Sequence, residues 1–323
     1  MEGRRTSGRG ACRRLVGEIS IAEPSSSSGS GPIKRLATNG HAYYSVARQT
    51  DAAWHDLLTR VAEEAGVAFD FVSYPLRQSL EELWTRADLG CVFIMCGYPI
   101  SLRQLHVVPI AAPIPLAPWA QGRAVYRTDL VVKADSRFQR LSDTFGGRIG
   151  WTLRHSHSGY NALRHHLLQY RTPERPTLYS QVVGGLGTVQ KVFDAVLEGA
   201  IDVGPVDAYW HLLTQLHHPE LAARVRVLES TVTAPIPAFV ANPSVPPEVV
   251  DRLATSFKSA CDRAWFGPIA AELLIEGFTP VPSVGVFSII QAPLAPAVRE
   301  AGNAAHRIVR PHPVADGIGK DPT

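Results

Sequence analysis

What most constrains this chain is an alternation of short apolar runs with helical patterns that starts, stops and then starts again. Residues 33–38 read as a strand, and Thr50 then opens a helix that sets Trp54, Leu57, Leu58, Val61 and Ala65 on one face. Residues 67–72 read as a second strand, and 76–87 as an amphipathic helix through Leu80, Leu83 and Trp84. Residues 91–95 are an apolar strand of the kind buried on both faces. This order implies a parallel sheet flanked by helices. A proline-rich stretch, 107–119, then leads into another strong strand, 125–132.

The alternation begins afresh with a strand at 147–152, a helix at 158–169, a helix at 188–197 stopped near Gly199, and a strand at 201–206. A helix over 207–216 and a strand over 223–228 follow, then a strand at 238–241 and helices at 246–265 and 268–276. No fixed-period repeat accompanies this order. A chain that completes one core and begins a second implies two lobes with a cleft between them.

The 323 residues are enough for one large or two medium domains. With 45% hydrophobic and 19% charged residues the chain is not mainly disordered. Its net charge of +3 is unevenly spread: the first forty residues hold seven basic and three acidic side chains, so the rest is close to neutral. The body therefore has no electrostatic footprint for nucleic acid. Residues 1–32 read as a basic, serine- and glycine-rich disordered leader, with Gly17 and Glu18 breaking its only apolar stretch. That pattern is not an export signal. No stretch reaches about 18 uninterrupted apolar residues, as a membrane-spanning helix requires.

The four cysteines, Cys12, Cys91, Cys96 and Cys261, form no Cys-x-x-Cys pair and no zinc spacing. Cys91 and Cys96 on one strand point to opposite faces, so all four read as free, mostly buried thiols.

The most informative segment is Trp151-Thr152-Leu153-Arg154-His155-Ser156-His157-Ser158-Gly159-Tyr160-Asn161. A strand ends, a short polar loop follows, and a helix starts at Ser158 or Gly159. Unpaired N–H groups and the positive end of the helix dipole make such a start an anion site, with hydroxyl donors from Ser156 and Ser158. A plain serine N-cap on a surface helix is the competing reading. Thr188 is an N-cap whose helix end could also face the cleft, and Asp207 is either an N-cap or an acceptor for a ligand donor. Tyr43, Tyr44 and Tyr98 follow strands where a first lobe would present ligand contacts. His155 and His157 stand about 10 Å along the helix from His165 and His166, which disfavours a shared metal ion. No hydrolase elbow, His-Glu-x-x-His, P-loop or dinucleotide fingerprint is present, so no catalytic residues are assigned.

Tyr126-Arg127-Thr128-Asp129-Leu130-Val131-Val132, Leu141-Ser142-Asp143-Thr144-Phe145-Gly146-Gly147-Arg148 and the Ser156–Arg164 segment carry a resemblance. In this order, and with Cys96-Gly97-Tyr98-Pro99 and the 198–207 run, the sequence resembles the phosphate/phosphite/phosphonate substrate-binding proteins of ABC transporters. The resemblance spans about residues 33–290. It implies an α/β type 2 periplasmic-binding-protein fold of two lobes, each a mixed, mostly parallel sheet flanked by helices. Lobe 1 would be 33–125 plus 231–300 and lobe 2 residues 126–230, with 301–323 as a tail. It further implies a small oxyanion held by Ser156, His157, Ser158 and Gly159, covered by Tyr43 or Tyr44 and by Tyr98, with Thr188 and Asp207 at the same cleft. No cofactor or metal is implied, and the implied partner is a membrane permease served by a monomer. The implied location is periplasmic, while the lack of an export signal keeps a cytoplasmic ligand sensor open as an alternative, and an enzyme of pyrimidine or cofactor-precursor metabolism is a third. Two departures stand out: many relatives have Gly-Ser-His where this chain has Gly187-Thr188-Val189, and the loop 39–44 differs in spacing.

Overall fold

The computed structural model describes residues 35–38, 43–72, 89–101 and 107–281. The leader, the 76–87 helix, residues 39–42 of the opening loop and the 301–323 tail lie outside the described residues.

A six-stranded sheet has the order β13-β4-β12-β3-β1-β2. Its strands are β1 (Arg35–Thr38), β2 (Ala68–Phe71), β3 (Leu89–Met95), β4 (Val108–Pro115), β12 (Ala238–Ala241) and β13 (Ile275–Pro280). β1 pairs parallel with both β2 and β3, as the strand–helix–strand pattern requires. The strands that return later in the chain, β12 and β13, pair antiparallel with β3 and β4. The sheet is thus mixed, and its parallel part is smaller than the sequence suggests. The pattern of one strand carries no information about a partner more than a hundred residues away.

The first helix, Arg48–Ala65, shows how local sequence sets an element. It begins two residues before Thr50, because Thr50 acts from inside the first turn: its hydroxyl accepts the Ala47 N–H at 3.0 Å. Gly66 ends the helix in the left-handed conformation at φ 65°, where a side chain would be strained. Trp54, Leu57, Leu58 and Val61 are fully buried. Each such side chain stabilises the core by about 2 kcal/mol.

The proline-rich stretch is a strand, β4, and not the connection that its composition suggests. Alternate N–H groups of a strand point to opposite neighbours, and β4 pairs with β12 only through Val108–Ala111. Leu116 N–H and the Ile110 carbonyl bond to the β13 side, so even-numbered positions serve that neighbour. The missing N–H groups of Pro113 and Pro115 therefore fall on the side that β12 has already left, where no ladder bond is lost.

The single strand expected at 125–132 is split. Val125–Tyr126 forms β5 and Thr128–Lys133 forms β6, with Arg127 between them. β5 pairs antiparallel with β11 (Ala234–Pro235), and β6 is the centre of a second sheet of order β10-β6-β9. Here β9 is Gly204–Asp207 and β10 is Val225–Ser230. A parallel pair, β7 (Arg148–Gly150) with β8 (Gln181–Val183), joins this sheet through a bridge between Ile149 and Val203. The apolar centre of β6 is buried on both faces: Leu130 and Val132 enter a core with Ile149, Leu163 and Val203, while Val131 enters the main core. The chain passes from the first sheet to the second along β5 and returns along β11. The sequence signals for β8, β11 and β13 were too short or too polar to separate from loops. Among the described residues no helix is long and apolar enough to cross a membrane.

Candidate functional site

The Ser-x-Ser-Gly segment folds into a wide turn, His157–Asn161, that runs directly into the helix Ala162–Leu167. Ser156 caps it: the side-chain oxygen accepts the Gly159 N–H at 3.0 Å and the Ser156 carbonyl accepts the Asn161 N–H at 3.1 Å. The Ser156 O–H proton is left for another acceptor. The Ser158 carbonyl accepts the Thr128 hydroxyl at 3.0 Å, which ties the turn to the start of β6. Gly159 lies against Thr152: a Cβ built on it would stand 1.9 Å from the Thr152 hydroxyl oxygen. Glycine is needed here for close packing on the preceding strand end.

Facing this turn are side chains carried by the first sheet. Tyr44 is fully buried, and its hydroxyl donates to Asp207 Oδ2 at 3.1 Å. Asp207, at the end of β9, also caps the helix Ala208–His217 by accepting the N–H groups of Tyr209 and Trp210 at 3.0 and 3.2 Å through Oδ1. Of the two roles that the sequence left open, an N-cap and an acceptor for a ligand donor, the carboxyl takes the first, and it also accepts from the Tyr44 hydroxyl. The half-buried Tyr43 packs edge-on to Tyr44 at 5.0 Å. Its phenol interacts with the Ser158 hydroxyl, which also interacts with Tyr126 and Asp207. Cys96, just past β3, sends its thiol to the His155 carbonyl at 3.7 Å.

Seven of the nine residues singled out from the sequence, Tyr43, Tyr44, Ser156, His157, Ser158, Gly159 and Asp207, therefore meet at one place. Tyr98 stands at its rim, on the short helix Gly97–Ser101, beside Arg164 and Tyr160. There the Tyr160 ring has Trp151 at 4.8 Å and the Arg164 guanidinium at 4.9 Å. Thr188 caps the helix Val189–Leu197 through the Lys191 N–H at 3.2 Å, and the preceding loop bonds to the carbonyls of Trp151 and Thr152. Val189, where many relatives were expected to carry a histidine, is buried in the main core. Cys96 and Tyr126 are members of the cluster that sequence reasoning missed. Both sit in runs that carried the resemblance, but a tyrosine in an apolar strand does not announce a site, nor does a cysteine that, against expectation, falls just past the end of β3 instead of sharing it with Cys91.

Burial dominates the electrostatics. It raises the Asp207 carboxyl to about 7, against the helix N–H groups and Tyr44, which pull it down. It lowers His157 to about 4, with His165 adding to the effect, so this imidazole is neutral at pH 7. It holds the Cys96 thiol protonated, pushed up to about 11. The phenols of Tyr43, Tyr44 and Tyr126 are raised for the same reason. The donors of the cluster are thus neutral O–H groups, and its one anionic group is a carboxyl that holds its proton well above the usual range.

These two shifts give stability a pH signature. Asp207 is raised, so its contribution is fully present below the unfolded value and is lost as pH rises through about 7. His157 is lowered, so its contribution is present above the unfolded value and is lost as pH falls through about 4. Between these limits the two slopes oppose one another. Relative to the parent, Asp207→Asn is expected to gain on the order of 1.4 kcal/mol per pH unit as pH rises across that window, and His157→Gln to gain with a similar slope as pH falls across it. Urea unfolding at several pH values measures both differences; pH-independent differences would contradict the assignment of the shifts.

Among the described residues no three His, Cys, Asp or Glu side chains gather as a metal-binding set. With the geometry in place, comparison with known proteins identifies the family. Residues 42–281 match the family model described as "ABC transporter, phosphonate, periplasmic substrate-binding protein". The chain belongs to this family. It is a family of substrate-binding proteins that serve ABC transporters, not of enzymes, and its members work with a membrane permease and ATPase on a small anionic ligand. Solved structures share the fold. A binding-protein component of an ABC phosphonate transporter from Pseudomonas aeruginosa is 15% identical, with 85% of this chain and 94% of that chain covered at a TM-score of 0.63. PhnD1 from Prochlorococcus marinus, solved with methylphosphonate, is 13% identical, with 85% and 99% covered and a TM-score of 0.62. A Xanthomonas citri protein solved with ATP is 19% identical, with 84% and 99% covered and a TM-score of 0.55. No curated protein matches the chain. The fold of the family is the two-lobed type 2 periplasmic-binding-protein fold, to which the two sheets and the β5–β11 crossing conform.

Proposed function

We propose that this protein captures a small oxyanion of the phosphonate or phosphate class and presents it to an ABC transporter on the outer side of the cytoplasmic membrane. It works as a monomer, without nucleic acid, cofactor or metal. One lobe comprises residues 33–125 and 231–300, the other residues 126–230, and the ligand lies between them. Ser156, His157, Ser158 and Gly159 form its floor, Tyr43, Tyr44 and Tyr98 cover it, and Thr188 and Asp207 border it.

The observation that carries this reading is the meeting of the Ser158 hydroxyl with the Tyr43 and Tyr126 phenols over the Ser156-capped turn, from elements of both sheets. Neutral donors from two bodies suit an oxyanion that draws those bodies together. Closure excludes water and strengthens each donor in a lower local dielectric. It also creates the surface that a permease reads, coupling occupancy to partner binding. Asp207, beside the same hydroxyls, either keeps its proton next to the oxyanion or meets a cationic group on the ligand.

A thermal-shift panel of methylphosphonate, phosphate, phosphite, aminoalkylphosphonates, sulfonates and pyrimidines tests this function. A phosphorus oxyanion at a hundred times its dissociation constant is expected to stabilise the protein by about 2.7 kcal/mol. A shift from pyrimidines alone, or from no phosphorus oxyanion, would overturn it.

A further inference from the structure

Residues 151–171, which carry the Ser-x-Ser-Gly turn, contain three arginines and four histidines and not one acidic residue, in a body that is close to neutral. His157 is uncharged at pH 7, and His166 is bonded to Glu229 at 2.9 Å. The permanent charges of the segment are therefore Arg154, Arg164 and Arg171, and the capture of a single oxyanion gives none of them a task.

Local structure brings two of these charges to the rim of the site. Side chains on a helix lean toward its N-terminus and meet neighbours four positions back. Arg164 does so from the helix Ala162–Leu167, and its guanidinium returns to within 4.9 Å of the Tyr160 ring centre. Tyr160 in turn lies 4.8 Å from the Trp151 ring, over which Arg154 stands at 5.9 Å. The rim thus carries a ladder of cation, ring, ring and cation. Tyr98, from the first sheet, is close enough to feel the charge of Arg164, and Arg171 is close enough to be repelled by it. Tyr160 is two residues from Ser158, a span of at most about 7 Å. The Asp207 carboxyl, raised to about 7, offers these cations little negative charge below that pH.

A guanidinium is a planar fork that matches a carboxylate or a phosphoryl group, and a ring beneath it holds that fork in place. We infer that Arg164 is a specificity-determining residue that reads a second anionic group on the ligand, a carboxylate or a further phosphoryl group joined to the phosphorus oxyanion by a short spacer. This rests on the oxyanion-capture reading above and names the substrate class within it. An alkyl substituent gains nothing from such a rim, and an ammonium substituent is repelled by it.

Calorimetric titrations at one pH and one salt concentration test the assignment. The parent is expected to bind phosphonoacetate, 3-phosphonopropionate or methylenediphosphonate about tenfold or more tightly than methylphosphonate, and 2-aminoethylphosphonate more weakly than methylphosphonate. The two carboxylates and the diphosphonate separate the two kinds of second anion. Arg164→Gln is expected to bring the diacids to within about twofold of methylphosphonate while leaving methylphosphonate itself unchanged, and Arg164→Lys to restore part of the preference. Methylphosphonate or 2-aminoethylphosphonate binding more tightly than every diacid would overturn the inference, as would a diacid preference that survives Arg164→Gln. The comparison among ligands in the parent decides the matter even if a variant fails to fold. A parent that binds no phosphorus oxyanion overturns the capture reading, and this inference with it; methylphosphonate binding without the diacid preference overturns the role of Arg164 alone.

Discussion

Replacing Gly159 by alanine is expected to destabilise the protein by on the order of 3 kcal/mol, at the upper end of the cost of overpacking a rigid core. A methyl group there would stand 1.9 Å from Thr152 Oγ1, 2.7 Å from its Cγ2 and 2.8 Å from its Cβ. Thr152 cannot retreat easily. It is 2% exposed, its N–H donates to the Gly159 carbonyl, and its own carbonyl accepts the Gly187 N–H. The strain therefore falls on the turn, and with it on the Ser156 cap and the position of Ser158. Chemical denaturation measures the loss. Combining the change with Thr152→Gly, which removes all three clashing atoms, is expected to restore part of the stability. A Gly159→Ala protein as stable as the parent would mean that the turn does not pack on Thr152 as described.

The same turn shows what the sequence could and could not convey. Its location was legible because a strand end, two serines and a glycine before a helical pattern are local features, and local features are what a sequence displays. Asp207 was legible for the same reason, as a polar residue at the end of an apolar strand. The role of Gly159 was not, since the Thr152 side chain beneath it is seven positions away and meets it only because the loop doubles back. Tyr126 and Cys96 lay in apolar runs that read as core. What makes them part of the site is the arrival of Ser158 and His155 from the other sheet, a long-range event with no local pattern.

Fold reading met the same limit. The helix at 48–65 and the strands β1, β3, β6 and β12 follow from periodicity and burial. The proline-rich strand β4 was misread because the rule against proline in strands concerns lost ladder bonds, and β4 places Pro113 and Pro115 where no neighbour asks for one. The break at Arg127 was not legible because strand-forming residues lie on both sides of the polar Arg127-Thr128-Asp129, and it is the change of partner from β11 to β9 and β10 that divides them.

The central claim is that a phosphorus oxyanion is held by the hydroxyls of the Ser-x-Ser-Gly turn. Ser156→Ala combined with Ser158→Ala removes both hydroxyls and leaves the tyrosines, Asp207 and the backbone in place. The cap lost with Ser156 costs about 1 kcal/mol of stability, which a domain of this size tolerates. Two hydrogen bonds to a charged ligand are together worth about 3–6 kcal/mol, so affinity is expected to fall at least about a hundredfold. The most direct measurement is a calorimetric titration of methylphosphonate, or of the phosphorus oxyanion that shifts the parent most, into the parent and the folded double variant at one pH. The account expects measurable heat and saturation with the parent and no saturation at the same concentrations with the variant; equal dissociation constants for the two proteins would contradict it.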